Sequence, residues 1–118
     1  MRAQQTDANI ADTLLAESPC WDSATRCLYW TDIKAGVIFR YDPDKKSRAL
    51  CKAPKMAAFV LPCENYGLIA GLEDGLYLMD FEQSRFDPLA LIEDENVRLN
   101  DGKCDPVGRI WFGTMPLD

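Results

Sequence analysis

Two stretches of the chain carry residue types that chemistry needs. The first is Leu15-Ala16-Glu17-Ser18-Pro19-Cys20-Trp21, followed by Leu28-Tyr29-Trp30-Thr31-Asp32-Ile33. The second runs Val97-Arg98-Leu99-Asn100-Asp101-Gly102-Lys103-Cys104-Asp105-Pro106 and continues through Gly108-Arg109-Ile110-Trp111-Phe112-Gly113-Thr114-Met115. In both, polar side chains stand where strand-like runs end. Carboxylate and amide oxygens are hard donors that suit Ca²⁺, Mg²⁺ or Mn²⁺, and an arginine offers planar donors to hydroxyl, carbonyl or carboxylate oxygens. Taken alone, the same residues have plainer readings. Glu17 reads as an exposed loop carboxylate and Asn100-Asp101-Gly102 as a turn, since these three residues tolerate positive φ.

Composition narrows the chemistry further. The chain has no histidine, so a Ser-His-Asp triad, a Cys-His dyad and an HExxH zinc site are all excluded. Its five cysteines (Cys20, Cys27, Cys51, Cys63 and Cys104) contain no CxxC pair, which removes zinc ribbons and thioredoxin-type redox motifs. They read as reduced thiols packed as small apolar side chains, the usage of a cytoplasmic protein. Thirteen basic against nineteen acidic residues leave a net charge of −6, which argues against a nucleic-acid partner. The first fifteen residues have no apolar h-region of the kind a signal peptide carries, and residues 1–12 read as a loosely ordered lead-in. The longest uninterrupted apolar run, Met56 to Leu61, is far below the ~20 residues that span a bilayer, so no membrane partner is expected.

The elements that must position these residues are short strands. Eight runs rich in aromatic and branched side chains appear at 27–31, 37–41, 49–51, 58–61, 68–70, 76–79, 89–92 and 110–112, separated by turn formers such as Asp42-Pro43-Asp44 and Glu73-Asp74-Gly75. No window has the apolar stripe of a long helix. The strands also repeat: Leu28, Leu68 and Ile110 open similar runs at offsets of 40 and 42 residues, and the hairpin strand beginning at Gly36 returns at Gly75. Self-similarity near 40 residues with about four strands per unit is the mark of β-propeller blades. The 118 residues hold slightly under three such units, so the chain reads as one all-β domain, 1–118, made of the N-terminal two to three blades of a propeller. A complete small sandwich or barrel is the alternative arrangement of the same strands.

The residues just quoted resemble the SMP-30/gluconolactonase/LRE family, the regucalcin-like sugar lactonases. Arg98-Leu99-Asn100-Asp101-Gly102-Lys103, Asp105-Pro106, Gly108-Arg109 and Gly113-Thr114-Met115 carry the resemblance, with Glu17-Ser18-Pro19 and Trp21 upstream. It extends from about Thr13 to Met115 and corresponds to the N-terminal two-fifths or so of a member. Ala16 departs from the glycine that usually precedes the family's glutamate. The resemblance implies a six-bladed propeller with one divalent metal ion in its central channel: Ca²⁺ first, with Zn²⁺, Mn²⁺ or Mg²⁺ as alternatives. It further implies that Glu17 is a metal ligand and that Arg98 and Asn100 hold a sugar lactone, Asn100 standing close enough to the metal to count with its ligands. Asp101 reads as a turn or supporting residue. The family's remaining ligands, including the aspartate that transfers the proton, correspond to positions past Asp118, so no catalytic residue is expected within these 118.

The activity implied is hydrolysis of an aldonolactone. A bound divalent ion polarises the lactone carbonyl and acidifies water, which makes a histidine base unnecessary. Two readings without turnover stand beside it. A calcium-binding regulatory propeller would share Glu17. A receptor-type propeller would explain Tyr29-Trp30-Thr31-Asp32, although that YWTD motif occurs once and the corresponding positions read Ile69-Ala70-Gly71-Leu72 and Trp111-Phe112-Gly113-Thr114. Fewer than three blades leave open edges, so self-association and lack of activity in the isolated chain are also expected.

Overall fold

The computed structural model describes residues 16–64 and 66–117, with side chains from Ser18 onward. The lead-in read at residues 1–12 lies outside them. Ten strands occur among the described residues: β1 (Ala16–Asp22), β2 (Cys27–Asp32), β3 (Val37–Asp42), β4 (Ser47–Lys52), β5 (Ala57–Cys63), β6 (Gly67–Leu72), β7 (Gly75–Asp80), β8 (Arg85–Leu91), β9 (Val97–Cys104) and β10 (Ile110–Pro116). They form two four-stranded antiparallel meanders, β1-β2-β3-β4 and β5-β6-β7-β8, and a two-stranded sheet of β9 and β10. These are two whole blades and the inner half of a third. Among the described residues no strand passes from one sheet into another, so the sandwich or barrel alternative is not adopted.

Eight of the ten strands coincide with runs that the sequence marks. The two it does not mark are β1 and β9, the first strands of their sheets. Asn100-Asp101-Gly102, expected as a turn, instead lies within β9. Physically, the turn-forming residues are absorbed by bulges that let each strand continue, as described below.

Alternation along the strands sends side chains to both faces of each blade, and two apolar layers result. Between the first two blades lie Tyr29, Ile38 and Cys51 from one sheet and Val60, Leu72 and Tyr77 from the other. Between the second blade and β9 lie Phe59, Leu61, Ile69, Leu76 and Leu99. Phe59 is fully buried here, and its ring packs on the backbone of Gly71 in β6 and of Gly102 in β9. A Cβ at Gly102 would lie 2.6 to 2.8 Å from three ring carbons, and one at Gly71 would come closer still. Two glycines on different sheets thus make the gap that one aromatic ring fills. On the opposite face of the first blade Trp30 stacks on Phe39, ring centroids 5.3 Å apart.

The YWTD motif is consumed by this packing. Tyr29 lies in the layer between blades, edge-on to Phe81. Thr31 Oγ1 donates to the Ala58 carbonyl at 3.3 Å, joining the first blade to β5, and Asp32 accepts from the Ala35 N–H in the β2–β3 turn. Arg40 of β3 reaches across to Glu82 at 2.6 Å and lies over the Phe81 ring. Lys55, on the link between the blades, pairs with Asp74 at 2.7 Å in the β6–β7 turn, where the Tyr77 hydroxyl also donates to Asp74.

Candidate metal and substrate site

The first strands of the three sheets lie side by side, β1 against β5 and β5 against β9. Each carries a bulge, in β1 and β5 near the head and in β9 at mid-strand. In β1 the pairing with β2 steps from Glu17↔Thr31 to Cys20↔Tyr29, so Ser18 and Pro19 oppose Trp30 alone. Pairing of β5 with β6 skips Ala58 between Ala57↔Leu72 and Phe59↔Gly71. In β9 the step is from Leu99↔Thr114 to Gly102↔Phe112, so Asn100 and Asp101 oppose Gly113 alone. A bulge carries an extra residue, bends its strand and re-aims side chains, and bulges recur beside active sites. Ser18 adopts φ 51°, the left-handed backbone that a serine takes only when its surroundings hold it there.

The outer two bulges are joined. Ser18 Oγ donates to Asp101 Oδ1 at 3.1 Å, and the same oxygen accepts the Gly102 N–H at 2.8 Å. The residue after Glu17 is therefore tied to the residue after Asn100, and the bulges of β1 and β9 are brought together. Asp101, which the sequence presents as a turn or supporting residue, is the fastener. Leu99 anchors β9 from beneath: its side chain is fully buried, and its N–H donates to the Glu73 carbonyl at 3.1 Å. Arg98 flanks it, half-buried, with Nη1 donating to the Leu99 carbonyl at 3.1 Å. Asn100 is exposed. Glu17 occupies its place on β1 opposite Thr31.

From these bulges onward the inner strands border an open groove of about 1200 Å³, lined by Ser18, Cys20, Asp101, Lys103 and Cys104 among others. At its far end the β9–β10 turn is clamped by Asp105. Its carboxylate accepts from the Trp111 indole N–H at 3.0 Å, from the Arg109 N–H and Nε at 2.8 and 2.7 Å, and from the Val107 N–H at 3.0 Å. These donors, the indole first, hold the Asp105 carboxyl below the usual carboxylate range. Asp105 thus shapes the turn, which is the physical reason for the Asp105-Pro106 and Gly108-Arg109 spacing.

The matches to known proteins follow this geometry. The family model for the SMP-30/gluconolactonase/LRE-like region matches residues 15–118. The chain belongs to that family. It is 36% identical over 105 residues to 6-deoxy-6-sulfogluconolactonase of Pseudomonas putida, covering 87% of this chain and 36% of that one. It is 34% identical over 108 residues to L-arabinolactonase of Azospirillum brasilense, covering 88% and 36%. The crystal structure of regucalcin, a calcium-binding protein of Agrobacterium tumefaciens strain C58, superposes with a TM-score of 0.81 at 25% identity, covering 89% of this chain and 36% of that one. The chain thus spans a little over a third of the length of these relatives, and its sheets are propeller blades.

The donor set decides how far a divalent ion fits. Among the described residues no three His, Cys, Asp or Glu side chains converge on one point. What the fold does link, across β5 through the Ser18–Asp101 bond, are the positions next to an acid (Glu17) and an amide (Asn100), with a guanidinium (Arg98) two residues before Asn100 on β9. Glu and Asn oxygens fit a hard cation in type but supply only part of the ~6–8 oxygens that calcium takes. The sequence marks these three positions. It gives no sign of the Ser18–Asp101 bond, because the partners are 83 residues apart.

Proposed function

We propose that this chain forms the N-terminal part of the metal and substrate site of a divalent-metal-dependent sugar lactonase, which hydrolyses the ester of an aldonolactone. The observation that carries the proposal is the Ser18–Asp101 bond between two bulges, which ties the residue after Glu17 to the residue after Asn100. Family membership and the lactonases among the relatives support the same reading.

In this reading Glu17 and Asn100 would hold the ion, with calcium the first candidate and zinc, manganese and magnesium the alternatives. When bound, it would polarise the lactone carbonyl and acidify a nearby water. Arg98 directs its guanidinium at oxygens of the sugar acid. Its bond to the Leu99 carbonyl uses one N–H of five and fixes the plane of the fork. Leu99, locked in the apolar layer, keeps the Arg98 and Asn100 backbone from drifting as substrate enters. Proton transfer falls to a carboxylate that these 118 residues do not supply, so the chain alone is expected to bind metal weakly and to lack turnover.

Calorimetric titration with Ca²⁺, Mn²⁺ and Zn²⁺, beside Glu17→Gln and Arg98→Ala, tests the assignment. Glu17→Gln should abolish what metal binding the chain has, whereas Arg98→Ala should leave it intact, because a guanidinium cannot ligate a cation. Equal binding by wild type and Glu17→Gln would remove Glu17 from the site. A calcium-binding role without turnover is a second reading, favoured by the regucalcin likeness. Turnover of an aldonolactone panel by a protein carrying the complete ring separates the two.

A further inference from the structure

All five cysteines are free thiols, and three of them border the groove: Cys20 on β1, Cys63 on β5 and Cys104 on β9. Cys63 and Cys104 are the last residues of their strands, paired with Gly67 and Ile110 respectively, at the end away from Glu17 and Arg98. Their side chains share one apolar cluster, packed with Leu61, Ile69 and Ile110. Both also border a second cavity of about 410 Å³, formed by the β5–β6 and β9–β10 turns. The two sulfurs are therefore neighbours across a blade boundary, in a place that small solutes can reach from two sides.

We infer that Cys63 and Cys104 form a redox-active dithiol, closed by a hydroperoxide to a disulfide that ties the ends of β5 and β9. The two thiols are not equivalent. Cys63 is 6% exposed, whereas Cys104 is half-exposed with Sγ 3.8 Å from the Asp105 carbonyl. Burial, then the neighbouring Cys104 and Cys20, pushes the Cys63 thiol up to about 12, so it is a poor first nucleophile. Cys104 attacks the distal peroxide oxygen; the O–O bond breaks, the alcohol or water leaves, and the sulfur becomes a sulfenic acid. Cys63 then attacks that sulfur. The S–O bond breaks, and the sulfenic hydroxyl leaves as water with the Cys63 proton. One two-electron reduction of the peroxide balances one disulfide. Cys20, two residues short of the end of β1, faces the same groove but is not needed for closure.

The experiment treats the dilute, reduced 118-residue chain with hydrogen peroxide, quenches it, and maps peptides without reduction while counting thiols. Expected are a Cys63–Cys104 cross-linked peptide that dithiothreitol reverses, a fall in free thiols from five to three, and a higher melting temperature in the oxidised chain. Cys20→Ser should leave all three results unchanged. Cys104→Ser should abolish the cross-link, and Cys63→Ala should stall oxidation at Cys104 sulfenic or sulfinic acid. Disulfides between chains, pairing through Cys20, or sulfinic acid at wild-type Cys104 without a cross-link would each overturn the inference. The wild-type peptide map alone decides the matter if a variant fails to fold.

Discussion

Gly102→Ala tests whether the packing that positions β9 is as tight as the geometry requires. The new Cβ would stand 2.6 to 2.8 Å from three carbons of the Phe59 ring, where about 3.5–4.0 Å is comfortable. Relief needs a displacement of about 1 Å. The ring cannot supply it, because its other contact is the backbone of Gly71. β9 must move instead, carrying Asp101 away from Ser18 and stretching their 3.1 Å bond beyond hydrogen-bonding range. Overpacking of a rigid core costs about 1–3 kcal/mol, and a lost side-chain bond adds about 1 kcal/mol. The expected loss is therefore about 2–4 kcal/mol, a fall in Tm on the order of 10 °C for a chain of this size. Thermal melts followed by tryptophan fluorescence measure it. Gly113→Ala, whose Cβ meets nothing within 4 Å, is the control and should change stability by less than about 0.5 kcal/mol. Phe59→Leu should partly rescue Gly102→Ala, giving a coupling of about 1 kcal/mol or more. Equal melting of Gly102→Ala and wild type, or no coupling with Phe59, would refute the reasoning.

Three further outcomes follow from single contacts. Asp101→Ala should destabilise by about 1 kcal/mol, read by urea unfolding, and Ser18→Ala should add nothing once Asp101 is gone, since the Ser18 hydroxyl acts through Asp101. Burial opposes ionisation of Asp74, but Lys55 and the Tyr77 hydroxyl outweigh it and hold the Asp74 carboxyl below its ordinary value. A depressed carboxylate contributes stability above its unfolded pKa and loses it as pH falls through the folded one. Because both partners are more than a third exposed, Lys55→Met should cost no more than about 1 kcal/mol at pH 7, and urea melts should show the difference vanish well below pH 3.8. Light scattering should show the chain associating through the edge strand β10, exposed on both faces at Trp111 and Phe112, and Trp111→Ser with Phe112→Ser should shift it toward monomer; an unchanged mass would place the contact elsewhere.

The fold was legible where strands are apolar. Runs such as Val37 to Tyr41 and Leu76 to Met79 alternate inward and outward and are bounded by turn residues, so composition and spacing revealed both the strands and their 40-residue period. It was illegible in β1 and β9, where Ser18-Pro19 and Asn100-Asp101-Gly102 imitate turns. A bulge and a tight turn call on the same residues, and only tertiary pairing decides which forms. The site was half legible. Glu17, Arg98 and Asn100 stand out as polar residues in strand-end motifs, while the Ser18–Asp101 fastener and the fit of Phe59 between Gly71 and Gly102 join residues from different blades. Such contacts leave no local pattern. The cysteines show the same limit: the spacing of Cys63 and Cys104 matches no motif, yet the blade repeat sets them side by side.

The central claim, that Glu17 and its neighbours serve a metal-dependent lactonase, is tested most directly by transplantation. Residues 15–118 replace the matching segment of the Pseudomonas putida 6-deoxy-6-sulfogluconolactonase, to which the chain is 36% identical. Hydrolysis of an aldonolactone panel is then measured against divalent-ion concentration, with and without Glu17→Gln. The expected result is metal-dependent turnover by the chimera, and in Glu17→Gln a loss of at least about tenfold in both metal affinity and kcat/KM. A Glu17→Gln chimera that binds metal and hydrolyses lactone as well as its parent would contradict the account.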